Sequence, residues 1–259
     1  MEIEIDFTKN AQQNAQDYFS RSKKAKHKAE GAEKSINELK EALNGINAAP
    51  KKGRVLRYSK KEWYEKFNWF FTSNSLLAIG GRSAQQNELI NSKYFLESDL
   101  FFHADVFGAS VTILKDGAGA PREVKEEVAQ FAACYSKAWE EGSAANVYSL
   151  KRDQVSKSKE KGSLGTGSFL LSGEREWYKN VPLELAAFME EEKVHEENLE
   201  KAMILPLSSC RALGISNYVR ISPGNTKKSD AAKLIAKRLG YEDIDYIMQH
   251  LPAGSFSIK

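Results

Sequence analysis

Glu62-Trp63-Tyr64-Glu65-Lys66-Phe67-Asn68-Trp69-Phe70-Phe71-Thr72-Ser73-Asn74-Ser75-Leu76-Leu77-Ala78-Ile79-Gly80-Gly81-Arg82 is the stretch whose reading decides the fold. Two apolar runs, Phe67 to Phe71 and Leu76 to Ile79, flank Ser73-Asn74-Ser75. Short apolar runs broken by polar punctuation read as strands, and Asn tolerates the positive φ of a tight turn, so this is a hairpin. Phe67, Trp69 and Phe71, or their alternates Asn68, Phe70 and Thr72, are expected to face inward. Gly80-Gly81 is expected to let the backbone bend before the next element.

Downstream, Ser83 caps a short helix running to about Ser92, and Leu100 to Ala104 and Val111 to Leu114 read as strands around Asp105-Val106-Phe107-Gly108. Pro121 suits a first helical position, and Val124, Val128, Phe131, Tyr135, Ala138 and Trp139 recur on one face of a helix that Gly142 stops. Asn146 to Leu150 and Thr166 to Leu171 are further strands. Between them, Lys151 to Gly165 is a basic loop carrying Lys151, Arg152, Lys157, Lys159 and Lys161. In the last part Leu183 to Met203 reads as an acidic helix or irregular surface segment, and Tyr218 to Ile221 as a strand. Lys227 to Leu239 is a helix with a basic outer side, and Tyr246 to Met248 and Phe256 to Ile258 complete a core.

Upstream the pattern changes. Ala11, Ala15, Tyr18, Ser22, Ala25, Ala29, Ala32, Ile36, Leu39, Leu43 and Ile46 alternate steps of four and three, a heptad stripe that seeks a partner helix. No second heptad helix of matching length occurs, so the partner lies outside the chain or the helix stands free; an amphipathic helix packed on its own domain is the alternative. Asn44-Gly45 and Ala48-Ala49-Pro50 with Gly53 end it and begin a linker. The expected class is α+β, a mixed and mostly antiparallel sheet with packed helices behind a long N-terminal helix. The expected divisions are 1–52 for helix and linker, 53–182 for the central domain and 183–259 for an α+β extension, separate or part of the same globule.

Composition narrows the partner. The 259 residues are 41% hydrophobic, enough for a sizeable core, and the net charge of +3 says little by itself. Its distribution says more: Arg21 to Lys61 holds 13 Lys/Arg against 4 Asp/Glu, whereas Glu184 to Glu200 holds 7 acids against Lys193 alone. The basic part can face phosphates and the acidic part cannot. Two cysteines without a Cys-x-x-Cys pair point to a reducing compartment, the N-terminus is too acidic for a signal peptide, and no apolar run approaches a membrane span. A cytoplasmic protein without a membrane partner is expected.

Catalytic chemistry is poorly supported. Of four histidines, His27, His195 and His250 lie apart from any nucleophile motif, and neither a Gly-x-Ser-x-Gly elbow nor a Walker-type loop is present. Asp99, His103 and Asp105 could be drawn as a metal site of a nuclease, but Asp99 and His103 are four residues apart on a strand, too far for one ion without a bulge. No catalytic residue, metal or cofactor is therefore assigned. His103 has two other readings, a buried histidine satisfied by backbone and a polar residue beside a nucleic-acid surface, where Gly108-Ala109-Ser110 offers small side chains and accessible amides. Trp63, Tyr64, Lys66, Trp69, Arg82, Lys93 and Tyr94 mix rings with cations, as single-stranded RNA sites do, though most rings in such a domain are core.

Taken in order, Gly80-Gly81-Arg82, Gln86-Asn87-Glu88, Lys93-Tyr94, His103-Ala104-Asp105, Gly108-Ala109-Ser110, Ser136-x-Ala138-Trp139, Asp153-Gln154-Val155-Ser156-Lys157 and Thr166-Gly167-Ser168-Phe169 resemble the RNA-binding (NFACT-R) domain of the ribosome-quality-control family that includes NEMF and RqcH. The resemblance spans roughly Thr8 to Gly173. It implies a translation factor that recognises stalled large subunits, with tRNA and large-subunit ribosomal RNA as partners. It also implies that the heptad helix is the returning arm of a coiled coil, and that the chain is the C-terminal part of a longer polypeptide or a protein reduced to it. The family's N-terminal domain is missing from the sequence, which makes tail synthesis by this chain alone doubtful. His103, Gly108 and Ser110 are carried over as markers of the module, and Arg82, Lys93, Lys151, Arg152, Lys157 and Arg175 are expected as cationic RNA contacts. The contrasting expectation is a protein-binding scaffold that docks through its heptad helix.

Overall fold

The computed structural model describes residues 5–44, 62–156, 166–194 and 197–259. Contacts divide the chain into Met1–Ser59 and Lys60–Lys259. In the first unit, α1 (Ala11–Asn44) is a single helix whose 34 residues give it a length of about 50 Å. Its start is a capping box: the Asn10 side chain accepts from the Gln13 amide at 2.8 Å, and Gln13 Oε1 accepts from the Asn10 amide at 3.1 Å. Tyr18 and Ile36 of the heptad stripe remain exposed. The linker expected after Asn44 lies outside the described residues.

The second unit begins with the expected hairpin, β1 (Asn68–Phe71) and β2 (Leu77–Gly80), paired antiparallel with Asn68 opposite Gly80. Ser75, not Asn74, takes the positive φ of its turn, at 61°. Glu127 caps that turn from another element, accepting from the Ser73 amide at 2.8 Å and from the Ser73 hydroxyl. The expected alternation along β1 does not hold, because Phe67 to Phe70 are all buried and only Phe71 emerges. This strand is covered on both faces, so no period of two survives.

Next come α2 (Ala84–Leu89), continuing as a π-turn over Ile90–Tyr94, then β3 (Leu100–Ala104), β4 (Thr112–Leu114), α3 (Arg122–Cys134), α4 (Ala138–Glu141) and β5 (Ala145–Lys151). Ser83 caps α2 as expected, its side chain accepting from Gln86. A short pair, β6 (Val155–Ser156) and β7 (Leu170–Leu171), precedes β8 (Glu176–Val181). The main sheet has the order β1-β2-β4-β3-β5-β8, antiparallel throughout.

The region read as an acidic helix or irregular surface segment, Leu183 to Met203, instead falls in a long hairpin, β9 (Leu185–Val194) and β10 (Glu197–Pro206). After α5 (Leu207–Ala212) come β11 (Val219–Lys227), α6 (Lys228–Leu239), α7 (Ile244–His250) and β12 (Ser255–Ile258), completing a second sheet of order β10-β9-β11-β12. Helix α3 packs between the two, touching β3, β5 and β8 of the first sheet and α5 and β10 on its other side. Phe70 meets Phe131 of α3 at 4.8 Å between rings, and Gln130 reaches Pro182 and Ser208. Trp139 Nε1 donates to the Ser255 carbonyl at 3.1 Å, and the Tyr135 hydroxyl donates to that of His250. The C-terminal residues thus share one core with the central ones. Cys134 and Cys210 are buried free thiols, and among the described residues no helix is long and apolar enough to cross a membrane.

Candidate nucleic-acid interface

Alternation along β3 divides its side chains. Phe102 points toward α3 and contacts the Tyr178 ring, while Phe101 and His103 project from the opposite face, their rings stacked at 6.1 Å with an 11° interplanar angle. Register then extends that face: His103 is paired with Tyr148 of β5, and Tyr148 with Trp177 of β8. Phe95 abuts Phe101. The result is an aromatic face on the side of the sheet away from α3. Arg175 lies 4.5 Å from the Tyr148 ring centre and Arg152 lies 4.9 Å from that of Phe95, both within cation–π range.

Part of this face is the wall of a cleft of about 670 Å³. Phe101, His103 and Tyr148 form the wall, Thr166 to Phe169 cross it, and the β3–β4 turn contributes Phe107, Gly108 and Ala109. Arg82, Lys228 and Tyr135-Ser136-Lys137 line the remainder, with Glu140 as an acidic neighbour. The helix expected to run unbroken to Gly142 is interrupted here: the Ser136 hydroxyl donates to the Ala133 carbonyl at 2.7 Å and accepts from the Ala138 amide at 3.2 Å. This break places Lys137 at the cleft.

Local hydrogen bonding fixes Arg82 and Lys228. Arg82 Nε donates to Asn68 Oδ1 at 3.0 Å and Nη2 to the Phe67 carbonyl at 2.7 Å, anchoring one edge of the guanidinium. Lys228 donates to the Leu251 carbonyl at 2.8 Å, and its pKa lies below the usual lysine value because of burial and the charge of Arg82 nearby. Among the described residues Arg82, Lys137, Arg175 and Lys228 form no ion pair, whereas Lys115, Lys125 and Lys201 do. Gly108 has a φ of +71°, closing the Asp105–Gly108 turn in a conformation that suits glycine. Burial lowers the His103 pKa further than its neighbouring carbonyls raise it, so the ring is neutral at pH 7, with Nδ1 3.2 Å from the Tyr148 hydroxyl.

Gly80 and Gly81 serve close packing and not a bend. Neither has positive φ, but a Cβ on Gly81 would fall 2.1 Å from Asn87 Oδ1. That oxygen accepts from the Val111 amide, the Gly81 amide donates to the Val111 carbonyl, and the Ser110 hydroxyl donates to the Gly81 carbonyl. Ser110 is 8% exposed, its hydroxyl directed into this junction.

Four residues singled out in the sequence, Arg82, His103, Gly108 and Ser110, thus converge on one cleft, and Arg175 packs on its Tyr148 wall. Arg152 and the exposed Lys151 sit at the end of β5. Lys93 belongs to a separate cluster in which Trp63 stacks on Tyr94 at 4.8 Å and Lys66 donates to the Tyr94 hydroxyl. Lys157 lies outside the described residues, as does the basic loop through Gly165. Sequence reasoning missed Phe107, Lys137 and Lys228; an aromatic inside a polar turn was the available signal for the first. Asp99 is no partner for His103: it is 0% exposed, accepts from the Leu96 and Asp116 amides and pairs with Lys115. Among the described residues no group of three His, Cys, Asp or Glu is arranged to hold a metal.

Residues 66–173 match the family described as the NFACT protein RNA binding domain. The archaeal Rqc2 homolog aRqcH of Methanocaldococcus jannaschii is 36% identical over 77% of this chain and 30% of its own length. The ribosome quality control complex subunit NEMF homolog of Drosophila melanogaster is 32% identical over 70% and 19%, and the NEMF subunit of Mus musculus 33% identical over 62% and 16%. The chain therefore spans less than a third of the length of these relatives. Over residues 66–173, which hold Arg82, His103, Gly108 and Lys137 of the cleft but not Lys228, this chain carries an NFACT-R domain of the NEMF/RqcH ribosome-quality-control family.

Proposed function

We propose that this chain is the RNA-binding part of a cytoplasmic ribosome-quality-control factor, contacting tRNA and large-subunit ribosomal RNA on stalled large subunits, and that it binds without catalysing a reaction. The observation that carries the reading is the cleft whose cations have no carboxylate partner among the described residues beside an aromatic wall. Phosphates supply the missing counter-charge, and rings accept bases irrespective of sequence. RNA shape, more than base sequence, then selects the ligand. Arg82, Lys137, Arg175 and Lys228 are the principal contacts in this proposal, with Lys93, Lys151 and Arg152 as outlying ones; Lys157, outside the described residues, is a further candidate from the sequence. The neutral His103 contributes a polar edge and no charge.

Titration of the protein with labelled tRNA tests this. Binding at low salt that weakens when Arg82, Lys137, Arg175 and Lys228 are changed to Gln supports it, and no binding at low salt removes it. A second role rests on α1, whose exposed Tyr18 and Ile36 sit on the heptad stripe. This helix pairs with a partner helix from the rest of a longer polypeptide or from another chain. Pull-down with and without nuclease separates a protein scaffold from an RNA-dependent association.

A further inference from the structure

Phe107 is 92% exposed, an unusual place for a large apolar ring at the rim of a polar cleft. Its turn is well braced. The Asp105 amide donates to the Asn146 carbonyl at 2.7 Å and the Ala109 amide to the Val106 carbonyl at 3.3 Å. Gly108 holds the left-handed corner between them. Lys137 Nζ lies 5.5 Å from the ring centre, and the Lys137 chain packs 3.4 Å from where a Gly108 Cβ would stand. Phe107 is thus held in place by backbone and by one cation while most of its surface is left to solvent. The same cleft contains Arg82 and Lys228, which together keep donors uncommitted after binding the Asn68 side chain and the Phe67 and Leu251 carbonyls. Its volume of about 670 Å³ is within the range of sites for small organic ligands.

We propose that the cleft receives one unpaired nucleotide of the bound RNA, its base stacked on Phe107 and its phosphate directed to Arg82 and Lys228. The inference rests on the RNA-binding reading and deepens it: a purely electrostatic surface has no use for an exposed ring, whereas a splayed base does. It predicts preference for RNA with unpaired nucleotides over continuous duplex.

The probe is a short unstructured RNA oligonucleotide containing 2-aminopurine, whose fluorescence is quenched by stacking, measured alongside a duplex of equal length. Wild-type protein should quench the fluorescence. Phe107→Ala and Phe107→Leu should weaken binding about 5- to 100-fold with an unchanged salt slope. Changing Arg82 and Lys228 together to Gln should lower the single-strand slope by about 0.7, the contribution of the one phosphate they share, while quenching persists at saturation. Leu preserves apolar contact but lacks a π face, so full affinity in Phe107→Leu with loss in Phe107→Ala would identify a protein-type apolar contact and overturn the proposal. Wild-type affinity in both Phe107 variants overturns it while leaving RNA binding intact. Failure of the wild-type protein to bind either RNA at low salt removes the broader reading as well.

Discussion

Replacing Gly81 with Ala tests the junction on which the cleft is built. The added Cβ would lie 2.1 Å from Asn87 Oδ1 and 3.0 Å from the Asn87 amide nitrogen, so swinging the side chain away does not relieve the whole clash. Moving Asn87 also withdraws the acceptor of the Val111 amide, 3.2 Å away, in a residue that is 2% exposed. Overpacking costs about 1–3 kcal/mol and an unsatisfied buried amide about 1–3 kcal/mol; since one movement produces both, about 2–4 kcal/mol is expected in total. For a unit of this size that lowers Tm by about 5 to 15 °C. Urea titration gives the free energy directly if the m-value is unchanged. Gly119→Ala is the control: nothing lies within 4 Å of its Cβ and its φ is not positive, so the change should be neutral or stabilise by up to about 1 kcal/mol. A Gly81→Ala protein within about 0.5 kcal/mol of wild type would refute the packing explanation of this glycine.

Glu127→Ala removes both acceptors that hold Ser73 of the β1–β2 turn and should destabilise by about 2–4 kcal/mol, read by the same urea titration. His250 sets a pH dependence. Burial lowers its pKa to about 4, outweighing the hydrogen bond to the Tyr246 carbonyl, 2.7 Å from Nδ1, which raises it; Nε2 is buried without a partner among the described residues. The unfolded chain therefore binds more protons below its own pKa of about 6.5, so the stability contribution is complete above that pH and declines as pH falls toward 4. Thermal melts from pH 7.5 to 4.5 should show Tm falling through that window, with a shallower fall in His250→Gln; equal slopes would reject the assignment. His103, also lowered by burial, adds to the fall in the same direction.

Most of the first sheet is readable from local pattern, because its strands are short apolar runs between turn residues; α3 is legible as a helix from its apolar spacing, but its packing between two sheets, which buries Glu127 to Cys134 on every side, is not. The β9–β10 hairpin was not. Leu185, Ala186 and Ala187 are consecutive and all buried, so alternation is absent, and the following glutamates mimic a solvated helix. Its partner β11 lies well downstream, where a sequence window cannot see it. The cleft divides similarly. Gly108, His103 and Arg82 belong to local motifs, whereas Lys228 reads as one of several lysines on the outer side of a helix. Only the packing of α6 and α7 shows that Lys228 reaches the Leu251 carbonyl and faces Arg82. Phe107 stands in a turn, where an apolar residue belongs to no periodic pattern. Gly80-Gly81 is legible as a pair, but its reason is not: proximity of Asn87 is a tertiary fact that no local rule contains.

In the proposed function, cations around one cleft that are unpaired among the described residues hold an RNA backbone. The most direct measurement is the slope of log Kobs against log salt for tRNA, for wild type and for Arg82→Gln, Lys137→Gln, Arg175→Gln and Lys228→Gln. Binding at low salt should fall steeply as salt rises, with each variant flattening the slope by up to about 0.7 to 0.9. A wild-type affinity indifferent to salt, or four variants with the wild-type slope, would contradict it.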